Sequence, residues 1–258
     1  MAKFTLITGA SEGLGVEFAR IAASEGHSLI LTARSEDKLN ALAAELRSDN
    51  NEILVIPADL SKDGEAEQVW SAATDGRQVD VLVNNAGLGY NGPFDDADGW
   101  ARELNSINVN LVALTRLMKL AIPHMKSQEH ARILNVASVA GVMPGPNMAV
   151  YHATKAYVLS LSQAVAEELR GTNVTVTALC PGATATNFFD EADMHSVRLL
   201  KLAPPAKAAD VAALGWAKAK SGKRIVTPGV MNVIMTFSTR LLPASWVTRI
   251  TALVMGKS

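Results

Sequence analysis

Short β-branched and apolar runs alternate along this chain with longer stretches whose apolar residues recur every three or four positions. The runs are KFTLIT (3–8), SLILTA (28–33), EILVIP (52–57), DVLVNN (80–85), RILNVA (132–137), VTVTALC (174–180) and RIVT (224–227). Between them, helical spacing covers 13–25, 36–48, 62–74, 100–126, 149–170 and 206–221. Near-continuous apolar strands separated by helices predict a parallel sheet covered on both faces. Right-handed crossovers then give an α/β fold, a single-domain doubly wound parallel sheet of the Rossmann type, with ligands at the carboxyl ends of the strands. No low-complexity linker breaks the rhythm, so 1–228 reads as one binding and catalytic domain. Residues 229–258 read as an amphipathic helical extension of that domain.

Composition adds little until charge is followed along the chain. The 258 residues are 48% hydrophobic and 19% charged, with a net charge of −1, which gives no reason to expect nucleic acid. One cysteine, Cys180, excludes an internal disulfide. The start lacks a signal-peptide pattern and no apolar run reaches membrane-spanning length, so a cytoplasmic protein is expected. No Asp or Glu follows Asp210, however, while seven Lys and Arg do; the first 210 residues hold 17 basic and 25 acidic side chains.

The stretch TGASEGLG, Thr8 to Gly15, has two readings. Gly9-Ala10-Ser11-Glu12-Gly13 fits the G-x-S-x-G elbow of a serine hydrolase, with Ser11 as nucleophile and Asp190 and His195 in a loosely suitable order. The same residues form a glycine turn between a strand and a helix. Bare backbone and a helix N-terminus there would receive the pyrophosphate of a dinucleotide through Gly9, Ser11, Glu12, Gly13, Leu14 and Gly15. An elbow needs an earlier strand to supply its oxyanion hole, and Ser11 has only one strand before it. The dinucleotide reading needs only the βαβ unit that 3–33 supplies.

Six further motifs follow in order: ADLS (58–61), NNAG (84–87), NVNL (108–111), ASVAG (137–141), YHATK (151–155) and PGATAT (181–186). With TGASEGLG they make the chain resemble the short-chain dehydrogenase/reductase family over about residues 3–227. The resemblance implies an NAD(P)-dependent oxidoreductase and a homodimer or homotetramer. It implies adenine contacts from Asp59 and Leu60 and ribose contacts from Asn85, Ala86 and Gly87. Pro181, Gly182, Thr184 and Thr186 would flank the nicotinamide, and Lys155 would hold its ribose. Asn110, preferred over Asn108, would hold a water that feeds protons through the lysine.

Tyr151 and Lys155 are one helical turn apart and share a face. An ammonium about 4 Å from a phenol, at an effective dielectric of about 20, favours the phenolate by roughly 4 kcal/mol. A downward shift of about three units is therefore expected, poising Tyr151 as the acid/base. Ser138, at a strand end, would position the substrate oxygen.

Cofactor choice turns on the end of the second strand. Ala33 stands where an NAD enzyme usually has an acid, and Arg34 can clamp a 2′-phosphate. Ser35 reads as an N-cap, which makes Glu36 and Asp37 first-turn residues. NADP is expected, with NAD possible; Glu12 argues the other way.

Phe188, Phe189, Met194, Leu199 and Leu200 would form an apolar lid, with Met143, Met148 and Tyr90 approaching from other loops. In the tail, Val230, Val233, Ile234, Phe237 and Leu241 share one helical face and Asn232, Thr236 and Thr239 a polar stripe. After Pro243 a second run carries Trp246, Val247, Ile250, Leu253 and Val254, with Arg249 opposite. Such a tail packs over the cleft or a neighbouring subunit, or lies on an anionic membrane surface. Helix 149–170 is apolar around much of its circumference, which suits contact with both the sheet and another subunit. The sequence thus reads as an NADP-dependent oxidoreductase that reduces a carbonyl, or oxidises the secondary alcohol, on a small hydrophobic substrate. The alternatives are a non-catalytic dinucleotide sensor and the hydrolase using Ser11. No metal site is read.

Overall fold

The computed structural model describes residues 3–194 and 204–256. Seven parallel strands form one sheet in the order β3-β2-β1-β4-β5-β6-β9. These are β1 (Phe4–Thr8), β2 (Ser28–Ala33), β3 (Ile53–Pro57), β4 (Val79–Asn84), β5 (Ala131–Val136), β6 (Val174–Leu179) and β9 (Ile225–Val226). Each of the seven apolar runs became a strand within a residue or so of its expected ends. A two-residue ladder, β7 (Thr184–Ala185) with β8 (Ala206–Lys207), lies outside the main sheet. It is too short for any sequence periodicity to signal.

The strands alternate their side chains between two apolar layers. Leu6, Ile30, Leu82 and Ile133 face α3 (Glu65–Thr74), α5 (Leu114–Met125) and α6 (Ala149–Glu168). Ile7, Leu29, Leu31, Val83 and Leu134 face α1 (Gly13–Ser24), α2 (Glu36–Leu46) and α8 (Ala208–Lys220). Each fully buried Leu or Ile contributes about 2 kcal/mol of transfer free energy. Helices cover both faces of the sheet, which is why the strands read as largely apolar runs.

The helix expected over 100–126 is three pieces. α4 (Trp100–Ile107) passes into a π-helical turn, Asn108–Ala113, before α5 resumes. Periodicity cannot reveal one extra residue in a turn, and such wide turns gather at functional positions. The short α7 (Phe188–Glu191) follows β7, and the tail folds as α9 (Val230–Ser238) and α10 (Ala244–Met255). The outer face of α6, with Ala153, Ala156 and Tyr157, is exposed, while Lys155, Val158 and Ser162 are buried against the sheet.

Strand order reverses between β1 and β4, so the connections leaving their carboxyl ends run in opposite directions and a crevice opens outside them. Thr8 closes its base: its hydroxyl accepts from the Asn85 and Ala86 amides, both at 3.0 Å. The Asn85 side-chain amide donates to the Thr8 and Gly9 carbonyls.

Candidate active site

A cavity of about 850 Å³ opens along the carboxyl ends of the strands. Among the expected residues, Gly9, Ser11, Glu12, Gly13, Leu14, Arg34, Asp59, Leu60, Asn85, Ala86 and Gly87 line it. So do Ser138, Tyr151, Lys155, Pro181, Gly182, Thr184 and Thr186. Of the residues expected to bind cofactor or take part in catalysis, two do not. Gly15 lies inside the first turn of α1, where a Cβ would fall on the Gly9 carbonyl oxygen and 2.8 Å from the Asn85 amide nitrogen. Its place in the motif is explained by close helix–loop packing, not by reaching a ligand. Asn110 lies behind the wall and is taken up below.

The glycine turn is built to put bare backbone at the cavity wall. Gly9 (φ +63°) and Gly13 (φ +55°) adopt the left-handed region, and a Cβ at Gly13 would lie 2.7 Å from Thr186 Cγ2. The N-terminus of α1 follows at once, offering free amide donors and positive dipole. Backbone of this kind, at the end of a long cavity, fits a dinucleotide pyrophosphate. Ser11 lines the same wall; His195, the partner in the hydrolase reading, lies outside the described residues.

Beyond the turn, Arg34, Ser35 and Lys38 line the cavity, whereas Glu36 and Asp37 do not. Ser35 occupies the N-cap position of α2, but its side chain makes no capping bond. Lys38 was not anticipated from the sequence. Its place in the first turn of α2, directly after the strand end that carries Arg34, was the available signal. Lys38 bonds Glu12, and Asn187 donates to the other Glu12 oxygen at 2.8 Å. Lys38 foremost, with Asn187 and against some burial, holds the Glu12 carboxyl below its usual range. Arg34 lies 3.4 Å from Glu191. The acid that argued against NADP is thus neutralised by a neighbouring lysine.

Tyr151 and Lys155 project from the first turns of α6, and Ser138 ends the loop after β5. The Lys155 ammonium donates to the Val136 carbonyl at 2.8 Å and lies 5.7 Å from the centre of the Tyr151 ring. Burial pushes the Tyr151 phenol up to about 12, with the Ser138 hydroxyl pulling against it. Burial likewise brings Lys155 down to about 8. The expected lowering of the tyrosine therefore does not occur. Burial in a low-dielectric site penalises both charged forms and outweighs the pairing expected from the shared helical face.

Asn110 is buried in the π-helical turn. Its side chain accepts from the Leu88 amide and donates to the Leu88 carbonyl and Thr154 hydroxyl, each at 2.9 Å. A Cβ at Gly87 would lie 3.2 Å from Lys155 Nζ and 3.4 Å from Asn110 Oδ1, so the absent side chain leaves a gap bordered by both polar atoms. Asn108 is elsewhere, donating to the Ser61 carbonyl at 2.9 Å.

The other end of the cavity is apolar. Met143, Met148, Phe188, Phe189 and Met194 line it as expected, and the Phe188 ring lies 5.1 Å from Tyr151. Leu199 and Leu200 fall outside the described residues. Tyr90 does not line the cavity: it donates to Asp96 at 2.5 Å and stacks under the Arg102 guanidinium, which also holds Asp193 and the Glu191 carbonyl. It braces the lid from outside because a phenol finds better partners there. Sequence reasoning missed His152, whose ring nitrogen lies 2.8 Å from the Met143 carbonyl and whose burial lowers its pKa. The tail covers the cleft, one of the placements read from the sequence: Val247, Ile250 and Val254 of its second apolar run line the cavity, as do Met235, Leu242 and Met255, which that reading did not name.

The sequence profile described as short chain dehydrogenase matches residues 3–196. An uncharacterised oxidoreductase of Bacillus subtilis (strain 168), YvaG, is 35% identical over 188 residues, 71% of this chain and 69% of that one. The solved structure of a short-chain dehydrogenase from Sphingobium yanoikuyae in complex with NADPH aligns with TM-score 0.80 and 29% identity, covering 93% of this chain and 94% of that one. A 7β-hydroxysteroid dehydrogenase aligns with TM-score 0.84 and 28% identity over 97% and 96% of the two chains.

Proposed function

The chain belongs to the short-chain dehydrogenase family, oxidoreductases acting on CH–OH and C=O groups, and from that premise we propose that it reduces an uncharged hydrophobic ketone with NADPH. The observation that carries this reading is the convergence of Ser138, Tyr151 and Lys155 on one cavity whose remaining end is apolar. Gly9, Ser11, Gly13 and Leu14 would hold the pyrophosphate of the cofactor, and Asp59 and Leu60 its adenine. Arg34 and Lys38 would face its 2′-phosphate, since no acid stands at the end of β2. When bound, a nicotinamide exchanges a hydride with the substrate carbon.

This chain's own residues handle the proton. Tyr151, neutral at pH 7, donates its hydroxyl proton to the substrate oxygen as negative charge develops there. Ser138 donates a hydrogen bond to that oxygen and holds it beside the phenol. Loss of the proton leaves a phenolate, which the Lys155 ammonium, on the same face of α6 and 5.7 Å from the ring centre, stabilises electrostatically. A water in the gap beside Gly87, held by Asn110, would return a proton through Lys155. The reverse order oxidises a secondary alcohol, and an abundant NADPH pool favours reduction.

A non-catalytic sensor would need none of this convergence. Tyr151→Phe separates the readings. Turnover of a soluble aromatic or alicyclic ketone should fall at least a thousandfold, within the range for removing a general acid, while fluorescence titration shows NADPH affinity within about twofold of wild type. The same titration should favour NADPH over NADH by roughly tenfold or more, and Arg34→Ala should erase most of that difference. Full turnover in Tyr151→Phe removes the mechanism; a preference for NADH removes the role of Arg34.

A further inference from the structure

The tail helices are amphipathic in the wrong sense for a free protein surface. On α9 the polar Asn232, Ser238 and Thr239 are half-buried, with Ser238 and Thr239 lining the cavity. Val230, Val233, Ile234 and Phe237 are exposed instead, Phe237 at 60% and Val230 at 78%. On α10, Val247, Thr251 and Met255 are buried, and Trp246, Arg249 and Leu253 form the exposed stripe, with Ile250 at its edge where it also borders the cavity. Arg249 therefore lies within the apolar face, not opposite it as the sequence suggested. Leu241 at 72% continues the patch between the helices, beside the exposed Arg240. A patch of this extent marks a surface with a partner.

We propose that the outer faces of α9 and α10 seat the protein on the surface of an anionic lipid bilayer. Charge selects this occupant over a second copy of the chain. No acid follows Asp210, so the patch carries Arg240 and Arg249 with no carboxylate from its own helices. A two-fold dimer sets a patch against itself and would bury these arginines unpaired. Anionic headgroups provide the missing negative charge, while arginine stems and the Trp246 indole suit the interfacial layer. No described helix is long and apolar enough to cross a membrane, so the contact is peripheral. The inner faces of the same helices line the cavity, which puts its apolar end about 10 Å, one helix diameter, from the lipid.

The test is co-sedimentation of the full chain, without cofactor or substrate, so that it stands apart from any result on turnover. Vesicles of equimolar phosphatidylcholine and phosphatidylglycerol should pellet the protein, and phosphatidylcholine alone should do so roughly tenfold less. Phe237→Ser/Trp246→Ser/Leu253→Ser and, separately, Arg240→Gln/Arg249→Gln should each lower binding to the anionic vesicles roughly tenfold. Both variants should retain wild-type melting temperature and NADPH affinity, since none of the five residues lines the cavity. Equal pelleting on both vesicle types, or variants that pellet like wild type, would overturn the proposal. So would a wild-type dimer in sedimentation velocity that the triple variant turns into a monomer, because a second copy would then cover the face.

Discussion

Lys155 is held where an ammonium is expensive. Burial brings its pKa from 10.5 down to about 8, even though the ammonium donates to the Val136 carbonyl. Between about 8 and 10.5 the unfolded chain keeps a proton that the folded chain has released, so stability rises with pH across that window. Below it both forms are charged and the full penalty, up to about 3 kcal/mol, is present. Tyr151 acts oppositely: raised from 10 to about 12, it withdraws stability as pH rises from about 10. Lys155→Met should therefore abolish turnover yet stabilise the cofactor-free protein at pH 7. Urea unfolding should show the variant's advantage shrinking by about 2 kcal/mol at pH 9.5; an advantage independent of pH would contradict the account. The motif YHATK was legible in sequence and so was the shared helical face. The sign of the pKa shift was not, because it depends on how much water reaches the pair.

At the scale of elements, α6 must be held in register for its first turn to present Tyr151 and Lys155. A buried polar chain does this. Asn84 donates to Asn135 and Asn135 to Ser162, both at 2.9 Å, and the Ser162 hydroxyl donates to the Val158 carbonyl at 2.6 Å. The chain joins β4, β5 and α6. Asn135→Ala would leave the Asn84 amide without its acceptor in a site where its own carbonyl already lacks a partner. A loss of about 2–4 kcal/mol in chemical unfolding is expected; a loss under about 0.5 kcal/mol would mean the chain is not structural. The strands on either side were plain from their apolar runs, whereas the π-helical turn carrying Asn110 was not. The Asn110 side chain is held there by bonds to Leu88 and Thr154, residues 22 and 44 positions away.

Across the whole molecule the cavity draws on elements from β1 to α10. A ligand there binds only the assembled fold. NADPH at about 100 times its dissociation constant should add about 2.7 kcal/mol to stability, raising the melting temperature by roughly 5–10 °C. Calorimetry should show the same rise for Tyr151→Phe, because the phenol acts on the substrate oxygen; no rise in either protein would contradict the cofactor assignment.

The sequence by itself determined the parallel sheet, the glycine turn and the residues around the crevice, because each depends on local pattern: a short, largely apolar run in a strand, a period of 3.6 in a helix, a bare turn between them. Tertiary structure decided the rest. Only packing shows that Lys38 neutralises Glu12, that Gly15 serves a helix contact, that Tyr90 turns outward and that Arg249 shares the exposed apolar stripe. In each case the deciding partner lies far along the chain or across a helix, and neither periodicity nor motif spacing carries information about which side of an element meets water.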